Sequence, residues 1–372
     1  MKFPLKQGPH VKGDNRHAEI LATVIKAALF VAVWAVYNRF VVFGIETALH
    51  VVLMIIVACS ATTIGHLCFH MVMDALEKKK FSSFAQRIEP YKQKILMGET
   101  VVTGLILALA MQPSAHLYVV AVVAIFAEVV GKLLFGGYGQ NIFNPVAVGL
   151  IFNALTFGAT PLTVGYLPDI ITQATPLSAL TAANWTMTPS ELSAYFASTG
   201  GMLSMFLGTV PGSVGETSRL ALFVVLAYMC YKKVADWVVP VFYMGSVFLI
   251  TLIFGAIIGA GIWYPVAHLL TGGIVFGAVF WATDPVTTPI NRQGKVVFAI
   301  MLAMFTLLIR LTASPVEGVA FSILLMNMLT PLIDSKTANV TTENTNKKII
   351  SSVVAFGVAT VVVVGFSVLT QL

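Results

Sequence analysis

Acidic side chains lie in or beside apolar segments, where a charge needs a physical reason because it costs several kcal/mol at the centre of a bilayer. Glu99 and Glu216 each follow a glycine at the start of an apolar stretch. A carboxylate there is favoured by the helix dipole and can cap free N–H groups. The pattern predicts either a helix N-terminal charge or an ion-handling role at both positions.

Two further acids have informative neighbours. Glu128 and Lys132 are four residues apart in an apolar segment, so we expect them to pair on one helix face. Asp284 opens the polar break Asp-Pro-Val-Thr-Thr-Pro. There it can cap a helix or receive a cation.

The loop GGYGQNIFNPVAVG, residues 136–149, is rich in glycine and amides. Glycines allow close approach of the backbone to a flat or bulky group, and Asn141 and Asn144 offer uncharged donors and acceptors. The alternative is an ordinary tight loop with an Asn-Pro turn. It is not a dinucleotide fingerprint, because no strand precedes it and the glycine spacing differs.

The strip DIITQATPLSAL, Asp169–Leu180, lies in a run without Lys or Arg from Leu133 to Ser218. Taken alone, its threonines indicate only a solvated loop. Cys59, Cys68 and Cys230 lack metal-ligand spacing, which favours packing roles and predicts no metal site. An iron–sulfur centre shared between Cys230 and a partner chain is the minor alternative.

The composition decides the class of protein. Of 372 residues, 58% are hydrophobic and 10% charged, with a mean hydropathy of +0.89; soluble domains carry about 25% charged residues. The sequence predicts an all-α, polytopic integral membrane protein. Its net charge of +6 resides in clusters beside apolar segments, which encode topology and do not indicate nucleic-acid binding.

Eleven apolar segments are predicted, ten forming a core bundle and the last an additional C-terminal helix. Two of them, Gly98–Met111 and Pro145–Phe157, are too short to cross a bilayer comfortably, as in broken helices at binding sites. The others are Ile20–Asn38, Ala48–Met73, Leu117–Phe135, Ser218–Tyr231, Ala235–Ile258, Pro265–Trp281, Val296–Thr312, Pro315–Ile333 and Ile349–Leu369.

The positive-inside rule orients these segments. If all segments cross the membrane, every clear basic cluster falls on the same side. This predicts a cytoplasmic N-terminus, a first helix that is retained and a loop 158–217 on the outer side. Arg39 is the exception, a basic residue alone on the outer side. The predicted order is an N-terminal segment 1–19, a first bundle half 20–157, the loop 158–217, a second half 218–334, a linker 335–348 and a helix 349–372. MGETVVTGL and VGETSRLAL, residues 97–105 and 214–222, are similar stretches starting on opposite sides, as an inverted repeat would produce.

Four motifs together resemble one family. The chain resembles the D subunits of Rnf-type ion-translocating ferredoxin:NAD oxidoreductases, and it is similar to their homologues, the B subunits of Na+-translocating NADH:quinone reductases. The resemblance runs from the first helix to Asp334. The motifs, in chain order, are GGYGQNIFNP, DIITQATPL, GTVPGSVGETS and ATDPVTTP.

The resemblance implies two flavins. The family pattern Asp-x-x-(Ser/Thr)-x-Ala-Thr falls on Asp169, Thr172, Ala174 and Thr175. Thr175 is thereby implied as the residue that carries FMN through a phosphoester, attached by a separate flavin transferase; Gln173 departs from the small residue usual there. The resemblance further implies riboflavin at Asn141 and Asn144, and ion handling at Glu99, Glu216 and Asp284.

The implied function is that of a flavin-carrying subunit in a redox-driven Na+ or H+ pump of the prokaryotic inner membrane, inactive alone. Its partners would include iron–sulfur and flavin subunits that pass electrons from reduced ferredoxin toward NAD+. The B subunit of the quinone reductase is the nearest alternative, and the short N-terminus speaks against it. A permease or channel for a small polar solute is an alternative from another class.

Overall fold

A computed structural model describes residues 17–78, 88–157 except 90, 93 and 94, residue 180, 185–210 except 199, 212–312, 318–337 and 345–371. Within these residues the regular secondary structure is entirely helical. The helices are α1 (His17–Phe43), α2 (Ile45–Leu76), α3 (Glu99–Ala110), α4 (Leu117–Val129), α5 (Pro145–Phe157), α6 (Pro189–Ser198), α7 (Gly201–Leu207), α8 (Arg219–Tyr231), α9 (Val238–Ile258), α10 (Tyr264–Leu270), α11 (Ile274–Trp281), α12 (Arg292–Thr312), α13 (Gly318–Thr337) and α14 (Thr345–Gln371).

Each of the eleven predicted apolar segments contains a helix within its described residues. Seven helical stretches are long and apolar enough to span a membrane, one of them being α4 continued through a short 3-10 helix to Phe135. Helices α10 and α11, bent by 64°, form either one broken span or a re-entrant loop. The remaining three, α3, α5 and α8, contain 12, 13 and 13 residues. At about 1.5 Å per residue each covers roughly 20 Å, short of the ~30 Å hydrocarbon core. The polytopic helical bundle and the short helices are therefore confirmed.

The short helix α3 lies deep in the bundle, and ten of its twelve residues are buried. It packs against α2, α1, α4 and α5. Gly104 makes the close approach to α2 possible, because a Cβ there would lie 2.8 Å from the carbonyl oxygen of Ala58 and the Cα of Cys59. The backbone of α3 is thus held at fixed depth by its neighbours.

The C-terminal end of α3 is fixed by backbone hydrogen bonds. The amides of Val214 and Gly215 donate to the carbonyls of Met111 and Leu109 over 3.1 and 2.6 Å. These bonds satisfy carbonyl groups at the end of α3, which have no partners within the helix. They also place the turn before α8 against the end of α3.

The C-terminal helix α14 packs on α12 and α9, and only 11% of its apolar window is buried. Most of its surface faces away from the rest of the chain. The division of the chain into two halves, a loop and a linker, and the inverted repeat, remain predictions.

Candidate functional site

A cavity of about 80 Å³ lies beside Val102, Thr103 and Ile106 of α3, one to two helical turns inside the end of the bundle at which α2 ends and α3 begins, here called the α2–α3 end. Apolar side chains of α1, α3 and α11 form much of its wall, including Leu21, Ile106 and Phe280. Its polar lining contains Thr103, Lys132, Tyr138, Asn141, Asn144 and Asp284. We call it the inner cavity. It brings together three of the predicted site residues, namely Asn141, Asn144 and Asp284.

Asn144 caps α5. Its side-chain oxygen accepts hydrogen bonds from the amides of Val146 and Ala147 over 3.1 and 3.3 Å, and Pro145 occupies the first helical position, where a missing N–H costs nothing. This local chemistry explains the Asn-Pro sequence. The backbone amide of Asn144 donates to the side-chain oxygen of Asn327 in α13 over 2.9 Å.

Asp284 organises the turn after α11. Its carboxylate accepts from the Val286 amide over 3.2 Å and from the Thr287 hydroxyl over 3.3 Å. It also accepts from the side-chain amide of Asn144 over 3.3 Å. The sequence allowed capping or a cation site at Asp284, and the geometry shows a turn-stabilising carboxylate that borders the cavity.

Asn141 is buried in the wall of the same cavity. Its side-chain amide donates to the carbonyl of Phe143 over 2.9 Å, which shapes the loop before α5. The glycines around it take left-handed conformations: φ is +113° at Gly136 and +98° at Gly137. The glycine-rich sequence is therefore required by the loop backbone itself.

A buried ionic cluster adjoins the inner cavity. Lys132 Nζ lies 2.7 Å from Glu128 Oε2, as the spacing of these residues predicts, and both side chains are fully buried. The same ammonium donates to the carbonyl of Glu99 over 2.9 Å and to the Thr103 hydroxyl over 3.2 Å. The other oxygen of Glu128 lies 2.9 Å from Nδ1 of His66 in α2.

Glu99 is the first residue of α3, as predicted. The preceding Gly98 occupies the N-cap position and, having no side chain, makes no cap bond. Its carboxylate lies 3.2 Å from Nε2 of His17 at the start of α1. His17 is 43% exposed, whereas Glu99 is 9% exposed. The backbone carbonyl of Glu99 thus contacts the ionic cluster, whereas its side chain contacts the partly exposed His17.

Glu216 is placed elsewhere. It lines a second cavity of about 230 Å³ at the opposite end of α3, with Met111, Asn153 and Trp281. We call this the outer cavity. Trp281 is buried, and its indole N–H has no hydrogen-bond partner among the described residues. The structure therefore separates Glu216 from the other predicted acids.

Thr175, together with Asp169, Thr172 and Gln173, lies outside the described residues. Cys230 is half-buried near the end of α8. In the part of the chain that the structure describes, no group of three or more His, Cys, Asp or Glu side chains could hold a metal ion.

Sequence reasoning missed His66 and His17 as partners of the acids. The His66–Glu128 and His17–Glu99 contacts join residues 62 and 82 positions apart, so no local spacing signals them. Only the Glu128–Lys132 pair, four residues apart, carried a readable signal.

These features define a polytopic helical membrane protein with short internal helices, an inner and an outer cavity and a buried ionic cluster. The chain belongs to the NQR2, RnfD, RnfE family, whose sequence profile matches residues 5–343.

Relatives of known name cover nearly the whole chain. It is 35% identical over 340 residues to the D subunit of the proton-translocating ferredoxin:NAD(+) oxidoreductase complex of Clostridium ljungdahlii, covering 90% of this chain and 94% of the relative. It is 32% identical to the D subunit of the Na(+)-translocating ferredoxin:NAD(+) oxidoreductase complex of Acetobacterium woodii, covering 90% and 93%.

A more distant relative is the B subunit of the Na(+)-translocating NADH-quinone reductase of Chromohalobacter salexigens. The identity is 35% over 243 residues, which cover 63% of this chain and 56% of the relative. The shorter match favours the ferredoxin-linked group.

Proposed function

We propose that this chain is the flavin-carrying membrane subunit of a complex that transfers electrons from reduced ferredoxin to NAD+ and couples the transfer to translocation of Na+ or H+. The near full-length similarity to the D subunits of such complexes supports this assignment. The structural observation that carries it is the inner cavity, which gathers Asn141, Asn144, Asp284 and Lys132 beside apolar walls.

The donor set of the inner cavity fits the riboflavin assigned to Asn141 and Asn144. A flavin ring presents a polar edge of donors and acceptors and an apolar edge, and the cavity offers amide, hydroxyl and ammonium groups opposite apolar side chains. Its volume of about 80 Å³ is below the roughly 300 Å³ of the smallest usual ligand sites. Binding therefore requires the lining side chains to move apart.

Within this site the chain positions groups and sets the local charge, while a bound flavin supplies one- and two-electron chemistry. Lys132 places an ammonium at the cavity wall. The Glu128 carboxylate balances its charge, and the Thr103 hydroxyl accepts a hydrogen bond from it. Asn144 and Asp284 fix the opposite wall through their mutual hydrogen bond, and the apolar residues exclude water.

The second flavin in this proposal is FMN, carried on Thr175 through a phosphoester formed by a separate flavin transferase. The support is the motif spacing, in which Asp169 precedes Thr175 by six residues with Ala174 between. A polar strip free of Lys and Arg is typical of the surface loops that modifying enzymes act on.

The proposed setting is the prokaryotic inner membrane. The basic clusters support a cytoplasmic N-terminus and an extracytoplasmic Thr175 loop. Iron–sulfur and flavin subunits of the same complex would be its partners. Glu99, Glu216 and Asp284 remain proposed members of the ion pathway, with Glu99 and Glu216 at opposite ends of α3.

A covalent flavin test checks this function. The complex is purified from its native host with wild-type, Thr175→Ala or Thr172→Ala chains, and the denatured chain is inspected for flavin fluorescence. We expect fluorescence in wild type and in the Thr172→Ala control, and none in Thr175→Ala. A wild-type chain without flavin contradicts the proposal and favours a solute permease.

A further inference from the structure

Buried titratable groups continue from the inner cavity toward the α2–α3 end of the bundle. Lys132, which lines the cavity, contacts Glu128 over 2.7 Å, and Glu128 contacts His66 over 2.9 Å. The His66 ring lies edge-on to that of His70, one helical turn further along α2, with ring centroids 4.7 Å apart. These four side chains form one continuous contact path.

The path reaches the end of α2 beside Tyr91. The Tyr91 ring stacks on His70 with centroids 4.1 Å apart and planes within 14°. Its hydroxyl donates to the carboxylate of Asp74 over 3.1 Å. Asp74 lies two residues before the end of α2 at Leu76, and the residues that follow it, Ala75 to Lys78, are exposed. His70 and Tyr91 are themselves partly exposed, so one end of the path reaches the surface of the described chain and the other lines the cavity.

An ion pair alone does not account for this arrangement. Lys132 and Glu128 already neutralise each other, so a structural pair needs no imidazole. Yet His66 is 2% exposed, and its Nδ1 contacts the carboxylate of Glu128. Its Nε2 has no hydrogen-bond partner among the described residues. Ionisable groups kept inside a membrane bundle typically mark ion or proton paths because of their cost.

We propose that His70, His66, Glu128 and Lys132 form a proton-transfer chain between the α2–α3 end and the inner cavity. This inference rests on the proposed function, since a redox cofactor in the cavity gives the transferred proton an acceptor. The positive-inside rule predicts that the α2–α3 end faces the cytoplasm, which makes cytoplasmic water the source of the proton.

The transfer conserves protons and moves no electrons. Lys132 gives a proton from Nζ to the reduced group in the cavity. His66 accepts a proton at Nε2 from the His70 side, through a small ring rotation or one water molecule, and the imidazolium then gives its Nδ1 proton to Oε1 of Glu128. Rotation of the protonated Glu128 carboxyl turns this proton toward Lys132, which takes it up at Nζ. A flip of the neutral His66 ring returns its remaining proton to the Glu128 side and resets the chain. One proton enters for each one delivered.

Other charged groups around the chain set its background. The Glu99 carbonyl accepts from Lys132, and its carboxylate pairs with His17 of α1. At the surface end stand Tyr91 and Asp74. None of these groups occupies the position of the His66 imidazole between α2 and α4.

The test uses the intact complex with wild-type, His66→Gln or His70→Gln chains. Glutamine keeps a polar group of similar length but cannot relay a proton. His50→Gln is the matched control, because His50 is a buried histidine of the same helix that contacts the carbonyl of Ala115 over 3.0 Å, away from the path. Ferredoxin:NAD activity is measured from about pH 6 to 9 in H2O and D2O, and bound flavin is quantified in each preparation.

We expect His66→Gln and His70→Gln to lower the rate by about a hundredfold or more, since a positioned proton-transfer group contributes about 10²–10⁴-fold. Their rates should fall as pH rises and should show a larger solvent isotope effect, with wild-type flavin content. The control should keep the wild-type profile. If the complex with His66→Gln does not assemble, the complex with His70→Gln provides the test of the proton chain.

Wild-type pH dependence and isotope effect in a flavin-replete relay variant would overturn the proton chain and leave the proposed function standing. A wild-type chain that shows no flavin fluorescence after denaturation and separation from its partner subunits would overturn the proposed function as well. The two failures are therefore distinguished by the flavin measurement.

Discussion

Asn144 donates a 3.3 Å hydrogen bond from its side-chain amide to the Asp284 carboxylate, across 140 positions of sequence. The bond joins the loop before α5 to the turn after α11. Both turns use the same side chains for their own backbone: Asn144 caps α5, and Asp284 binds the Val286 amide. One wall of the inner cavity is therefore held by a direct contact between two residues that also organise their own turns.

This coupling predicts non-additive effects. Asn144→Ala should destabilise the chain by about 0.5–2 kcal/mol through loss of the cap, and Asp284→Asn should weaken the contact from the other side. Because the two residues share a hydrogen bond, the double variant should cost less than the sum of the single variants, by about 0.5–3 kcal/mol. Thermal unfolding of the purified complex measures the cycle, and strict additivity would show that the bond contributes nothing.

The contact between α2 and α3 predicts a steric effect at Gly104. Gly104→Ala would place a methyl group 2.8 Å from backbone atoms of Ala58 and Cys59, and overpacking of this kind costs about 1–3 kcal/mol. Gly245→Ala in α9 is the matched control, because no atom lies within 4 Å of a Cβ there.

The control should be neutral or stabilising by up to about 1 kcal/mol, since alanine is the better helix former. Thermal midpoints of the two variants in the same detergent check the difference. Equal midpoints for Gly104→Ala and Gly245→Ala would mean that the helices separate without cost.

The ion pair between Asp236 and Lys295 predicts a pH-dependent stability. Lys295 Nζ lies 2.7 Å from Asp236 Oδ2 in the turn before α9. Burial alone would raise the pKa of the Asp236 carboxyl, but hydrogen bonds from Lys295 and the Val238 amide and the charges of Lys295 and Arg292 lower it below its ordinary value of 3.8.

A lowered pKa in the folded chain stabilises it above the unfolded value, and the gain is lost as pH falls through the folded value. Asp236→Asn should therefore cost about 0.2–1 kcal/mol at pH 7, as for other partly exposed pairs. The difference from wild type should begin to shrink as pH falls below about 4, the ordinary carboxyl value, and should vanish once the pH is below the lowered pKa of the folded chain. Unfolding midpoints at pH 7 and through the acid range test this, and a difference that does not shrink in acid contradicts it.

Local patterns in the sequence determined the helices and their nearest contacts. Runs of apolar residues identified every long apolar helix and the short α3 and α5, because the hydrocarbon core of a bilayer selects length and hydropathy directly. They did not identify α6 and α7, which lie in the predicted loop 158–217. The spacing of Glu128 and Lys132 identified their ion pair, because residues four apart share a helix face. The Asn-Pro pair signalled the turn that begins α5.

Only the tertiary structure decided which distant groups meet. It brought Asn144 to Asp284, His66 to Glu128 and His17 to Glu99, and it placed Glu216 in a separate cavity although its motif matches that of Glu99. These contacts depend on how the helices pack and on the depth at which each short helix stops. Periodicity within one helix contains no information about that depth, because it is set by close approaches such as Gly104 against α2.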